Sequence, residues 1–263
     1  MDTITLWAFV ALAGAATLVG FSKTAVSGAN TVSLAVFAAV LPARESTGVL
    51  LPLLIVGDVF AVYTYRRHAD WATLVRLFPA VAAGVVAGTV FMLWADDAAV
   101  RTSIGAILLL MAAVTVWRRR AAGKADEGGK AHEAGMVEKA GERQGSARLK
   151  AGSYGVLGGF TTMVANAGGP VMSMYLLSAG FRKLGFLGTS AWFFLIVNVA
   201  KVPFSVGLGL IDGHSLLLDA ALALFVIPGA FLGKAVVDRI NQRLFERLVI
   251  AATVVGGAQL LLR

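Results

Sequence analysis

The sequence contains no cysteine and only three histidines among its 263 residues. The absence of thiols excludes disulfides and thiolate metal sites. His68, His132 and His214 fall in separate predicted loops, so no pair of them shares a helix face to bind a metal. No histidine, nucleophile or acid–base pair lies within the apolar segments, and we therefore predict no metal, no cofactor and no enzymatic activity.

Charged residues are scarce as well. They make up 14% of the chain, against 58% hydrophobic residues, and the mean hydropathy is +0.79. Uncharged apolar runs of about 18 residues or more need lipid around them rather than water. We therefore predict an all-α integral membrane protein, and the lipid bilayer is its first expected partner.

The net charge of +8 does not indicate a nucleic-acid partner, because much of it is concentrated between residues 118 and 150. That segment holds nine Lys/Arg and five Asp/Glu among glycines, with too few apolar residues to fold alone. We interpret it as a flexible cytoplasmic linker between membrane units 1–117 and 151–263. The alternative is a specific site for lipid headgroups or a partner.

Eight hydrophobic segments are visible, and up to ten if the broken ones are counted twice. Six are long enough to cross a bilayer as helices of about 27–37 Å. The other two, 3–41 and 151–181, are interrupted by small and polar residues. Their second arms would be only about 18 Å long, which predicts broken or re-entrant hairpins, with two thin crossings as the alternative. The six continuous segments are 47–65, 72–94, 99–117, 186–210, 216–237 and 245–262.

Basic residues set the expected orientation, because they accumulate on the cytoplasmic side of membrane proteins. Each unit then consists of a hairpin and three crossings, and the two units have opposite orientation, which is an inverted repeat. The chain termini are expected outside and the linker inside the cell. The expected cytoplasmic residues are Arg66, Arg67, Arg182, Lys183, Arg239 and Arg243, and the expected outer turns are 96–97 and 212–214.

Matching residues support the repeat, because they recur in the same order at a nearly constant offset of 139 to 145 positions. Small residues four apart allow helix backbones to pack closely, within one chain or in a homodimer, and both arrangements stay open at this point. The matches are Gly20-Phe21-Ser22 with Gly159-Phe160-Thr161, Arg44 with Lys183, Asp58 with Asn198, and Gly84/Gly88 with Gly229/Gly233.

The two polar breaks carry a resemblance to a known family. The segment GFSKTAVSGAN at 20–30, the segment GGFTTMVANAGGP at 158–170 and the basic central linker look like the sulfite exporter TauE/SafE family of membrane transporters. The resemblance covers essentially the whole chain. It implies a permease of the cell inner membrane that moves small sulfur-containing anions, such as sulfite or organosulfonates, usually outward.

The breaks also suggest an anion site on physical grounds. A helix N-terminus carries a partial positive charge and unpaired N–H groups, so two N-termini that meet near the membrane midplane would bind an anion. Glycines would allow close backbone approach, polar side chains would donate hydrogen bonds, and Lys23 would add a full charge. The predicted substrate-binding residues are Lys23, Ser27, Gly28, Asn30, Thr31, Asn166, Gly168 and Gly169.

Three further polar residues fall at membrane depth. Asp58 lies past the middle of its helix, and Asn198 and Lys201 occupy the matching region of the second unit. Buried charges are costly and are normally paired. One hypothesis makes Asp58 a proton-coupling carboxylate. The other makes Asp58 and Lys201 a structural pair, or part of a polar network between helices.

Together these observations favour a secondary transporter that works by alternating access, with a small anion held at the two hairpin tips. The alternative is a proton-linked permease or channel for another small ion that uses Asp58.

Overall fold

The computed structural model describes residues 5–25, 30–128 and 140–236. All regular secondary structure in these ranges is helical, which confirms the all-α prediction. A short 3₁₀ turn, Arg66–His68, lies between the third and fourth helices. The helices are α1 (Leu6–Thr24), α2 (Asn30–Val40), α3 (Ala43–Tyr65), α4 (Trp71–Trp94), α5 (Asp97–Gly128), α6 (Ala140–Ala165), α7 (Gly168–Ser178), α8 (Lys183–Gly207) and α9 (Gly213–Val236).

Six apolar stretches in the described ranges are long enough to cross a membrane. Five of them coincide with predicted crossings, and the sixth predicted crossing, 245–262, lies outside the described residues. The additional stretch is Leu6–Thr24, the predicted first arm of a hairpin. The six are Leu6–Thr24, Ala43–His68, Trp71–Trp94, Asp97–Val114, Leu184–Gly207 and Ser215–Val236.

Both predicted hairpins are present as broken helix pairs. The second arms, α2 and α7, have 11 residues each, which corresponds to about 16 Å and is too short to cross the hydrocarbon core. Helix α2 returns alongside α1: the Ser33 hydroxyl donates to the Ala15 carbonyl at 2.9 Å, and the Asn30 N–H donates to Ser22 Oγ at 3.0 Å.

The predicted linker begins and ends in helix. Helix α5 continues to Gly128 and α6 starts at Ala140, so residues 118–128 and 140–150 extend the neighbouring membrane helices. Residues 129–139 lie outside the described ranges. The division into two membrane units and a flexible cytoplasmic linker stays a prediction.

Helices α3 and α8 form the centre of the bundle. The spans that contain them are 61% and 56% buried, whereas the other four spans are 29–39% buried and present most of their surface outward. The outward faces carry exposed apolar side chains, as contact with lipid requires. Examples on α4 are Val75, Val86, Val90 and Leu93.

Two helix pairs pack backbone to backbone through the predicted glycines. Gly84 of α4 lies against the Val156 carbonyl of α6, and Gly229 of α9 lies against the Thr17 carbonyl of α1. A Cβ atom at either position would overlap these carbonyl oxygens, so only glycine fits. The contacts lie within one chain. Under the predicted repeat α1 corresponds to α6 and α4 to α9, which makes the two pairings equivalent, while the inverted orientation stays a prediction.

Candidate functional site

The two helix breaks meet at Asn166. Helix α6 ends one residue earlier, and Asn166 has φ 49°, in the left-handed region that asparagine tolerates better than most residues. The Asn166 carbonyl accepts a hydrogen bond from Asn30 Nδ2 of the other break at 3.4 Å. The interruption of one hairpin therefore contacts the interruption of the other directly.

The Asn166 side chain connects two further helices to this junction. Its Nδ2 donates to the Thr47 carbonyl of α3 at 2.9 Å, and its Oδ1 accepts from Lys201 Nζ of α8 at 2.6 Å. Asn166 is almost fully buried, so these bonds form away from water. A single residue thus joins the start of α2 to the two central helices.

Lys23 reaches the same region from the last turn of α1. Its Nζ lies 2.6 Å from Asp58 Oδ1 on α3, and Asn198 Nδ2 of α8 donates to Asp58 Oδ2 at 2.7 Å. The Lys23 ammonium also lies 4.6 Å from the centre of the Phe194 ring, a favourable cation–π distance. The Asp58 side chain is fully buried and that of Lys23 is 10% exposed, so Lys23 does not lie on an open surface.

Lys201 is also buried, but it has no acidic partner among the described residues. Its ammonium donates to the Thr162 carbonyl at 2.7 Å, to Asn166 Oδ1 at 2.6 Å and to Asn198 Oδ1 at 3.4 Å. A fourth contact, to Thr162 Oγ1, is 3.4 Å long, and all four acceptors are neutral. Two lysines and one carboxylate, that of Asp58, therefore lie in this cluster, so its described residues include one more basic side chain than acidic ones.

A cavity of about 30 Å³ lies beside this cluster, with room for more than one water molecule, since each requires about 10–15 Å³. Asn30, the first residue of α2, and Gly169, the second residue of α7, both line it. Both helix N-termini are therefore at the cavity, and their partial positive charges add to that of Lys23. The wall comprises Ser22, Lys23, Asn30, Leu54, Asp58, Ala61, Thr162, Asn166, Gly169, Leu187, Ser190, Ala191, Phe194 and Asn198.

The predicted substrate-binding residues fall into three groups. Lys23, Asn30, Asn166 and Gly169 line the cavity. Thr31 is buried in α2 outside the lining, and Gly168 packs against α6, where a Cβ would lie 2.9 Å from Thr162 Cβ. Ser27 and Gly28 lie outside the described residues.

The polar network differs from the hypothesis that Asp58 and Lys201 form a structural pair. A direct pair between Asp58 and Lys201 is wrong, because Asp58 is paired with Lys23. Asn198 stands between them: its amide nitrogen donates to Asp58 and its oxygen accepts from Lys201. The three predicted residues are therefore in contact as a chain, while their role stays a prediction.

Some residues near the site were not foreseen. Thr162 directly follows the GFT motif of the second unit, as Lys23 directly follows the GFS motif of the first unit. The repeat therefore indicated Thr162 as a candidate site residue. Phe194 had no such signal, because an aromatic residue in an apolar helix is ordinary. Asp219 does not line the cavity and was not predicted either: it is buried in α9, and neither carboxylate oxygen has a hydrogen-bond partner in the described part of the chain.

The fold and the site together define a multi-pass helical membrane protein with a cavity, lined by polar and apolar side chains, between two broken hairpins. The chain belongs to the sulfite exporter TauE/SafE family, whose model matches residues 12–260. Members of this family are membrane transporters, not enzymes. Comparison with curated proteins and with solved structures gives no match.

Proposed function

We propose that this protein is a secondary transporter of a small sulfur-containing anion, such as sulfite or an organosulfonate. The anion occupies the cavity between the two hairpin breaks, and the two repeats rock against each other to expose it alternately on each side. Export across the cell inner membrane is the proposed direction, with the linker in the cytoplasm and both termini outside. The family of the chain supports the substrate class.

The observation that carries the proposal is that basic side chains outnumber acidic ones in the described cluster beside the cavity. Asp58 neutralises Lys23, and Lys201 has neutral acceptors only. An unbalanced charge at membrane depth costs about 3 kcal/mol on insertion scales, and a bound anion removes that cost. The N-termini of α2 and α7 favour the same ligand.

The same charges argue against the alternative of a cation pathway. A cation channel needs carboxylates that line the path without partners. Among the residues that the structure describes, Asp58 is the only carboxylate at the cavity wall, and it is paired with Lys23. A cation that enters the cavity would meet Lys23 and the positive ends of two helices.

The test is anion counterflow in proteoliposomes with sulfite, sulfoacetate, sulfate and simple carboxylates as competing solutes. Lys23→Met, Asn30→Leu and Asn166→Leu should each reduce sulfite flux by at least tenfold, because a charge-assisted hydrogen bond contributes about 1.5–3 kcal/mol. Lys234→Met is the matched control, since Lys234 is exposed in the last turn of α9. It should transport as the wild type does.

Loss of folding must be separated from loss of transport. Lys23→Met leaves Asp58 without its partner, so the double variant Lys23→Met, Asp58→Asn, which removes both charges, is measured beside it. Thermal unfolding in detergent reports whether each variant is folded. Wild-type flux in folded Lys23→Met and Asn166→Leu proteins would refute the site.

A further inference from the structure

The lysine that lines the cavity already has an ionic partner. Lys23 lines the cavity, but its ammonium contacts Asp58 Oδ1 at 2.6 Å. Asp58 is fully buried and is held from its other side by Asn198 Nδ2. An anion that binds Lys23 must therefore take the place of this carboxylate oxygen.

Displacement of the Asp58 carboxylate from Lys23 by an anion is unfavourable when the carboxylate keeps its charge. A buried ion that loses its partner costs about 3–5 kcal/mol, and here the carboxylate would also lie beside an incoming negative charge. Protonation of Asp58 removes both penalties. Its Oδ2 can still accept from Asn198, and its Oδ1, now a hydroxyl, becomes a donor toward the cavity.

We propose that the anion binds together with one proton, which passes from bulk water to Asp58 Oδ1 as Lys23 is released to the anion. This inference rests on the proposed function of the same site. Asp58 is then the coupling residue of an anion–proton cotransporter, and it occupies the anion's position on Lys23 when the cavity is empty.

Few charged groups lie near Asp58 on the described helices that pack against α3. Lys23 on α1 contacts Asp58, and Lys201 on α8 reaches it through Asn198. Helix α2 has no titratable residue. The other titratable groups whose side chains are described lie toward the helix ends: Arg44, Glu45, Tyr63 and Tyr65 on α3 itself, Arg66, Arg67 and His68 in the 3₁₀ turn, Asp97 and Arg101 on α5, and Asp219 and Lys234 on α9.

Cotransport of one proton is compatible with export. A divalent anion that moves with one proton carries one net negative charge. A membrane potential that is negative inside drives this charge outward by about 2.3 kcal/mol per 100 mV. A monovalent anion would move without net charge and would follow its own gradient and that of the proton.

The experiment is isothermal titration calorimetry of the purified full chain with sulfite and with methanesulfonate, in buffers of different ionisation enthalpy. The wild type should take up about one proton per bound anion, and its affinity should fall about tenfold for each unit rise in pH over the range where Asp58 is ionised. Asp58→Asn, which mimics the protonated carboxyl, should bind with no such proton uptake. The difference between the two proteins cancels any protonation of the anion itself.

The outcomes separate the two proposals. If neither anion binds the wild type, the proposed function is overturned. If an anion binds and the wild type takes up no more protons than Asp58→Asn, the coupling is overturned while the anion site stands. Asp58→Ser provides a second neutral variant if the amide does not fold, and the pH series on the wild type requires no variant.

Discussion

At the scale of single residues, Asn166 combines two requirements that few side chains meet together. Its backbone adopts φ 49°, which most L-residues avoid, and its amide group bonds both Thr47 and Lys201. Glycine satisfies the first requirement only. The position of Asn166 before Ala-Gly-Gly-Pro indicated the helix break, but no local sequence pattern indicated which residues its side chain contacts.

Replacement of Asn166 should separate these two contributions. Asn166→Gly loses the side-chain bonds but keeps the left-handed conformation without strain, whereas Asn166→Ala loses both. We expect Asn166→Ala to be less stable than Asn166→Gly by about 1 kcal/mol, measured by thermal unfolding in detergent. Equal stability of the two variants would mean that the backbone conformation contributes nothing.

At the scale of helices, the bundle depends on close contacts between α1 and α9 and between α4 and α6. The sequence showed the glycines, and the tertiary structure showed which surfaces they meet. Gly20 and Gly229 both face the α1–α9 contact, where Gly20 lies against the Val226 carbonyl. At Gly14 of the same α1, a Cβ atom would meet no neighbouring atom within 4 Å, so this position faces open space.

This contrast gives a matched pair within one helix. Gly20→Ala should destabilise the protein by about 1–3 kcal/mol, because a methyl group would collide with a backbone carbonyl. Gly14→Ala should stabilise it by about 0.5–1 kcal/mol, since alanine favours helix over glycine. Thermal unfolding of the two variants checks both signs, and a stabilising Gly20→Ala would contradict the packing.

At the scale of the whole molecule, the predicted inverted repeat fixes which helix ends share a side of the membrane. The ends near Arg67 and Arg182 should face the cytoplasm, and those near Asp96 and Asp212 should face outward. All four residues are exposed. The order of helices in the described ranges is compatible with this arrangement, because α2 returns along α1 before α3 begins.

The absence of cysteine makes this topology directly testable, since no native thiol interferes. Single variants Arg67→Cys and Asp96→Cys should react with a membrane-impermeant maleimide from opposite sides of oriented vesicles. Arg182→Cys should behave as Arg67→Cys does, and Asp212→Cys as Asp96→Cys does. Labelling of Arg67→Cys and Arg182→Cys from different sides would exclude the inverted repeat.

Much of the architecture follows from local properties of the sequence. The length of an apolar run decides whether a helix can cross the bilayer, and polar or glycine-rich interruptions decide where it breaks, so the crossings and both hairpins were predictable. The family resemblance rested on the same interruptions. These features depend on neighbouring residues only, and they need no knowledge of how helices are arranged.

The pairing of charges needed the tertiary structure. The cost of burying a charge predicts that Asp58 has a charged partner, but it does not identify that partner. On this ground alone, Lys201 was as acceptable as Lys23. The rotation and packing of α1, α3 and α8 decided that Lys23 reaches Asp58 and that Asn198 lies between Asp58 and Lys201. Asp58 and Asn198 are 140 positions apart in the sequence, and a contact across such a distance is set by how whole helices pack, which no local pattern encodes.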